Sequence, residues 1–210
     1  MIESLPMATA QSTVDAVACA LGMLIDLRDL GTGVHSTEIV ELALAVGAHF
    51  GWDTRQLRDL EISATLHDIG KIGIPDAILH KDGGLDAEQL ALMRRHPEYG
   101  WAILRKLPGF EWVALFILHH HERWDGGGYP GGLQGEEIPL GARIISVVDA
   151  FHAMTSDRPY HKGMPIDAAC GRLIESAGSQ FDPGVVEAFV EYARQQFAPQ
   201  PRPALAAAAR

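Results

Sequence analysis

Cysteine is scarce in this chain: Cys19 and Cys170 are the two in 210 residues. Thiols so far apart, in no C-x-x-C spacing, exclude a thiolate zinc site, a redox pair and a disulfide framework. Positive charge is also short, with 17 Lys and Arg against 27 Asp and Glu and a formal net charge of −10. That balance argues against a protein that tracks a nucleic-acid polymer through its phosphates. It leaves room for a small anion met by a local patch of cations. Long apolar runs are missing as well. The best candidate, Val14 to Leu27, is interrupted by Asp26 and patterned as a helix, so no segment reads as a membrane span. The opening MIESLPMATA has no basic stretch followed by an apolar one and does not read as a signal peptide. Alternating stretches of strand length and internal repeats are absent too. These absences predict one soluble, cytoplasmic, all-α domain, and 47% hydrophobic residues suffice to fill its core.

Helical patterning runs through most of the chain. Segments from Val14 to Leu27 and from Thr37 to Phe50 read as helices, the second behind Ser36 as an N-cap. Asp53 opens another that ends at the His67-Asp68 pair before Gly70. Asp86 with Gln89 forms a capping box for a helix reaching His96, where Pro97 is expected to break or kink it. Trp101 to Leu107 and Glu111 to Glu122 follow, then a glycine-rich loop from Asp125 to Gly135. Pro139, Pro165 and Pro183 each start a helix, ending near Thr155, Gly178 and Phe197. The domain is set at residues 14–196, with an extension over 1–13 and a Pro/Ala-rich tail over 197–210 expected to be disordered.

Histidine, by contrast, is abundant, with ten in the chain. A lone histidine is usually a surface or hydrogen-bonded residue, and His49, His80 and His152 are read that way. His119 is expected to face another side of its helix. The remainder group with acids: His35, His67, Asp68, His96, His120, His121 and Asp149 fall on separable elements of one bundle. Imidazoles and carboxylates buried together without a cation leave polar groups unpaired and like charges close. A metal cluster resolves that conflict, and helix bundles build such sites from inward-facing side chains. Neighbouring residues on a helix point about 100° apart. His67 and Asp68, or His120 and His121, therefore either straddle two metals or sit where a helix ends. Mixed imidazole and carboxylate donors suit iron, manganese or zinc.

The order HDIGKIGIPDAIL, HPEYG, HHERWDGGGYP, RIISVVDAFHAMTSDRPY and QFDP resembles the HD-GYP domain, a branch of the HD-domain phosphohydrolases. The resemblance extends from about Val14 to Ala193. It implies an all-α helical bundle with a metal site in its core and a GYP loop. It implies metal ligands at His35, His67, Asp68, His96, His120, His121 and Asp149, with Asp68 bridging two ions. It implies substrate contacts at Lys71, Arg158 and Tyr129, the last within the Gly128-Tyr129-Pro130 triplet. Two departures from the family pattern stand out. Some members hold a third metal with a Glu four residues before the first histidine; Gly31 stands there, so two divalent ions, iron or manganese, are expected. A basic residue often follows the RPY triplet; here His161 stands there and Lys162 is the substitute.

The reaction implied is hydrolysis of cyclic di-GMP to linear pGpG, with further cleavage to GMP left open. Asp68 and Lys71 carry the chemistry: metals activate water and Lys71 offsets charge on the phosphate. Two rivals remain at this point. One is an HD phosphohydrolase for another nucleotide. The other is a non-catalytic module that senses the nucleotide or docks GGDEF-domain proteins through the GYP loop. Metal identity, a dimeric or monomeric state, and whether the chain is excised from a longer protein stay open.

Overall fold

The computed structural model describes residues 10–28, 34–157 and 162–197, with the side chains of 10–13, 26 and 34–36 not among them. Ten α-helices appear among these residues. They are α1 (Ala10–Arg28), α2 (Val34–His49), α3 (Thr54–Leu66), α4 (Asp76–Leu79), α5 (Ala87–Met93), α6 (His96–Leu104), α7 (Glu111–His119), α8 (Leu140–Thr155), α9 (Ile166–Glu175) and α10 (Pro183–Gln196). Short 3₁₀ turns occupy Ile69–Gly73 and Gly135–Glu137. Among the described residues there is no β-strand, only an isolated bridge between Ala177 and Phe181. None of the described helices is long and apolar enough to cross a membrane.

Local chemistry sets several boundaries. Asp53 and Asp86 each accept from the backbone N–H three residues on, at 2.9 Å, while Gln56 and Gln89 reach back to the cap backbone. Two orphan amide donors are satisfied at each start. The helix behind Asp86 ends at Met93, short of His96. Pro97 does not terminate a helix; it lies in the first turn of α6, where its missing N–H would have no partner in any case. α2 begins at Val34, ahead of the Ser36 cap expected from sequence. The last helix before the glycine loop stops at His119 rather than Glu122.

Two apolar clusters hold the bundle together. The larger joins α2, α8, α9 and α10, with Leu60 and Ala64 of α3 and Phe116 of α7. The smaller joins α1, α6 and the 3₁₀ residue Ile69 to Ile62 and Leu66 of α3 and Val113, Ala114 and Ile117 of α7. α3 and α7 thus feed both clusters. Leu60, Leu66 and Ile117 are fully buried, each contributing roughly 1.5–3 kcal/mol over an exposed position. The two helices are clamped on both flanks, and their C-terminal ends are held side by side.

Candidate metal centre

Those two ends carry the histidine pairs. His67 is the C-cap of α3 and Asp68 follows it; His120 is the C-cap of α7 and His121 follows it. The pairs therefore sit where helices end, the second of the two arrangements their spacing allowed. His96 arrives from the first turn of α6, and Asp149 from within α8. Leaving the helix frees consecutive side chains from the 100° rule, so both members of each pair turn toward one point.

The distances show what converges. Asp68 is the hub: Oδ2 lies 3.4 Å from His67 Nε2 and 2.8 Å from Lys71 Nζ, and Oδ1 lies 3.4 Å from His96 Nε2. His67 Nε2 also faces Asp149 Oδ1 at 3.8 Å. His96, His120 and His121 each place a ligand-capable nitrogen within 4.8 Å of the others. The His120 and His121 rings are 4.0 Å apart at their centroids, and Tyr129 stacks on His121 at 5.0 Å. The guanidinium of Arg94 lies over that Tyr129 ring at 5.3 Å.

Three of the imidazoles are oriented in the same way. Nδ1 of His67 donates to the Ala64 carbonyl, Nδ1 of His96 to Met93, and Nδ1 of His120 to Ile117, at 2.7–2.8 Å. Each bond runs to the carbonyl three residues back and holds the proton on Nδ1. The Nε2 lone pairs are left facing the centre. His96 Nε2 and His120 Nε2 meet at 3.4 Å. With both protons on Nδ1, two lone pairs oppose each other there, which only a shared cation or an added proton relieves.

The electrostatics favour a cation. Burial, then the neighbouring His121 and His96, hold His120 well below its usual range. Burial and His96 push His121 down to about 3, and burial lowers His96. Burial would lower His67 too, but the Asp68 and Asp149 carboxylates outweigh it and carry His67 up to about 9. Burial opposes ionisation of Asp68, yet His67 and Lys71 hold it well below the ordinary carboxylate range. Neutral His96, His120 and His121 beside an ionised Asp68 are in the protonation states that bind a divalent metal, whereas His67 would release its proton to a bound cation. The donor set fits the group that the sequence implied.

His67, Asp68, His96, His120, His121 and Asp149 are therefore brought together. Lys71 is held against Asp68. Burial pushes the Tyr129 hydroxyl up to about 12. Lys162 is exposed, on the segment leading into α9. The His35 side chain, Gly31, Arg158 and His161 lie outside the described residues. His49 and His80 are exposed. His152 is buried, its Nε2 3.1 Å from Ser156 Oγ, as a structural histidine. Sequence reasoning passed over Glu122. It is 3% exposed and accepts from the Gly131 N–H at 2.6 Å. Its signal was available: a carboxylate directly after two inward-facing histidines has little access to water.

Comparison with known proteins agrees with this architecture. The family model described as "HD domain" matches residues 20–185. The cyclic di-GMP phosphodiesterase response regulator RpfG of Xanthomonas campestris is 41% identical over 172 residues, covering 81% of this chain and 46% of the relative. The 3′3′-cGAMP-specific phosphodiesterase 2 of Vibrio cholerae is 36% identical over 174 residues, covering 82% of this chain and 33% of the relative. The chain thus spans less than half the length of either curated relative. Among solved structures, the HDG"Y"P protein Bd1817 of Bdellovibrio bacteriovorus superposes with a TM-score of 0.63 at 22% identity, over 76% of this chain and 51% of that one. With the convergent His-Asp cluster, the GYP loop stacked on it and these matches, the chain belongs to the HD-domain family, in its HD-GYP branch.

Proposed function

We propose that this chain hydrolyses a phosphodiester bond of cyclic di-GMP, giving linear pGpG, in the cytoplasm of its cell. The observation that carries the reading is the set of Nε2 atoms left free by anchored Nδ1 protons, those of His67 and His96 facing the Asp68 carboxylate and that of His120 facing His96 Nε2. His67, Asp68, His96, His120, His121 and Asp149 are the residues we assign to two divalent ions. Asp68, whose two oxygens face different imidazoles, would be the ligand shared between the two ions. Bound there, the ions would supply Lewis acidity and an activated water near neutral pH.

The protein's own residues do the rest. The three backbone-anchored imidazoles hold their rings fixed, so no reorganisation is needed as charge develops. Lys71, on the 3₁₀ turn after the HD pair, holds its ammonium beside Asp68 at the edge of the cluster. There it offsets negative charge on a non-bridging phosphate oxygen. Tyr129 walls the His121 side with a ring face on which a base or ribose can rest.

The test is turnover by protein loaded with iron or manganese under reducing conditions, with elemental analysis on the same sample. Cyclic di-GMP should give pGpG with close to two metals per chain, while single-stranded DNA and RNA stay intact for want of a basic groove. A relative that acts on 3′3′-cGAMP makes that nucleotide the necessary comparison. Preference for 3′3′-cGAMP would replace the substrate and keep the chemistry. Tight binding of cyclic di-GMP by metal-loaded protein without turnover would replace the enzyme with a sensor.

A second expected outcome isolates Lys71. Lys71→Ala should keep its metals, because a protonated amine is no ligand. It should lose on the order of 10²-fold in kcat/KM if one charge-assisted contact to phosphate is removed. Metal loss in this variant would make Lys71 a partner of Asp68 alone.

A further inference from the structure

The QFDP segment and the Glu of HHERWD take no part in the proposed chemistry, yet the fold joins them behind the metal cluster. Glu122 is buried, and its Oε1 accepts from Gly131 N–H at 2.6 Å while facing His119 Nδ1 at 3.4 Å. Among the described residues its Oε2, which is buried, has no hydrogen-bond partner. The same is true of Arg143 Nε on α8. Both side chains line one small void of about 10 Å³, together with Ser146, Gln180 and Asp182. Arg143 Nη1 pairs with Asp182 Oδ2, and Asp182 Oδ1 caps α10 through Gly184 N–H at 2.8 Å.

The loop is stitched to this buried group on both sides. Trp124 N–H donates to Gln180 O at 3.0 Å, and Asp125 N–H to Ser179 O at 2.9 Å. A Cβ on Gly128 would lie 2.5 Å from Glu122 Cα and 2.3 Å from Arg123 N, so the GYP triplet rests directly on the Glu122 backbone. Three residues after Gly128, Gly131 is tied to the Glu122 carboxylate. Tyr129, between them, is thereby held on His121.

We infer that Glu122 is a positioning residue for the proposed reaction: its carboxylate anchors the GYP loop over the metal cluster, backed by one buried water that bridges Glu122 Oε2 to Arg143 Nε. The void is the size of a single water and is walled by polar groups on several sides, the conditions under which buried water persists. A carboxylate oxygen and a guanidinium nitrogen left without partners at this depth are each costly, and one bridging water satisfies both. The bridge extends through Asp182 to the start of α10, which gives the QFDP segment its place: it fixes Arg143.

This inference rests on the proposed hydrolysis only for its kinetic readout; hydrogen exchange tests it independently. In Glu122→Ala, amide exchange over residues 123–134 should speed up on the order of tenfold or more, with α7 and α8 protected as in the parent. Metal content should be unchanged and kcat/KM lower on the order of tenfold. Glu122→Gln, whose amide oxygen still accepts from Gly131, should restore most of both. Arg143→Lys keeps a cation for Asp182 but removes Nε; it should speed exchange in the loop severalfold, and it serves if Glu122→Ala does not fold. Unchanged loop exchange in folded Glu122→Ala, or in Arg143→Lys, overturns the inference, as does metal loss in Glu122→Gln. If the parent protein turns over no cyclic dinucleotide, the proposed activity falls and the exchange result still decides whether Glu122 anchors the loop.

Discussion

Asp68→Ala should abolish hydrolysis and strip the protein of metal. The two oxygens of Asp68 hold the charged side of the cluster together: His67, His96 and Lys71 all lie within 3.4 Å of them. Without the carboxylate, His67 loses the main group that offsets its burial, and Lys71 is left beside it. Three buried imidazoles then face each other with no anion to balance a bound cation. Changes outside the direct ligands of a metal typically cost 10–100-fold in affinity or activity, and loss of Asp68, if it bridges the metals as proposed, should exceed that range, on the order of 10³-fold or more. Asp68→Asn separates charge from shape, because it keeps the size and removes the negative charge, and it should fail in the same way. Folding should survive both, since Asp68 belongs to neither apolar cluster. Elemental analysis, circular dichroism and turnover on one preparation decide the matter. Near-normal metal content in either variant would remove Asp68 from the centre of the site.

Much of this site was legible in the chain, for physical reasons that differ by residue. His67-Asp68 and His120-His121 stood out because adjacent ligand-type residues are hard to explain on a regular helix, and the helices do end there. The Asp86–Gln89 and Asp53 starts were legible because a capping box is a local, through-backbone interaction. The role of Pro97 was misread because proline both ends helices and begins them, and only the chain's path at Arg94 and Arg95 shows which. The turn at Ile69–Gly73 escaped notice because five residues carry no periodicity. Glu122, Arg143 and Asp182 were invisible as a group for another reason. They are 21 and 39 residues apart in sequence, so their meeting is a product of how α8 and α10 pack. Residues whose role depends on neighbours in sequence could be read from it; residues whose role depends on a void between three elements could not.

Gly70→Ala should be among the most damaging single methyl additions to the described residues. Gly70 lies on the 3₁₀ turn directly after the HD pair, packed against the first turn of α6. A Cβ built there would fall 1.8 Å from the His96 carbonyl oxygen and 2.5 Å from Gly100 N, both backbone atoms. No flexible side chain can move aside, so the turn and α6 must separate. Overpacking of this kind typically costs 1–3 kcal/mol, and a backbone-to-backbone clash belongs at about 3 kcal/mol or above. That is a large share of the 5–15 kcal/mol by which domains are usually stable. The displaced element carries His96, whose Nε2 sits 3.4 Å from both Asp68 and His120. The same shift therefore pulls a donor out of the metal cluster. The expected result is a fall in thermal midpoint of roughly 6 °C or more for a chain of this size, with weakened metal binding in whatever protein folds. Gly84→Ala is the control: a Cβ there meets nothing within 4 Å. Its midpoint and metal content should match the parent. If Gly70→Ala behaves like that control, the close approach between the HD turn and α6 is wrong, and with it the route by which His96 reaches the site.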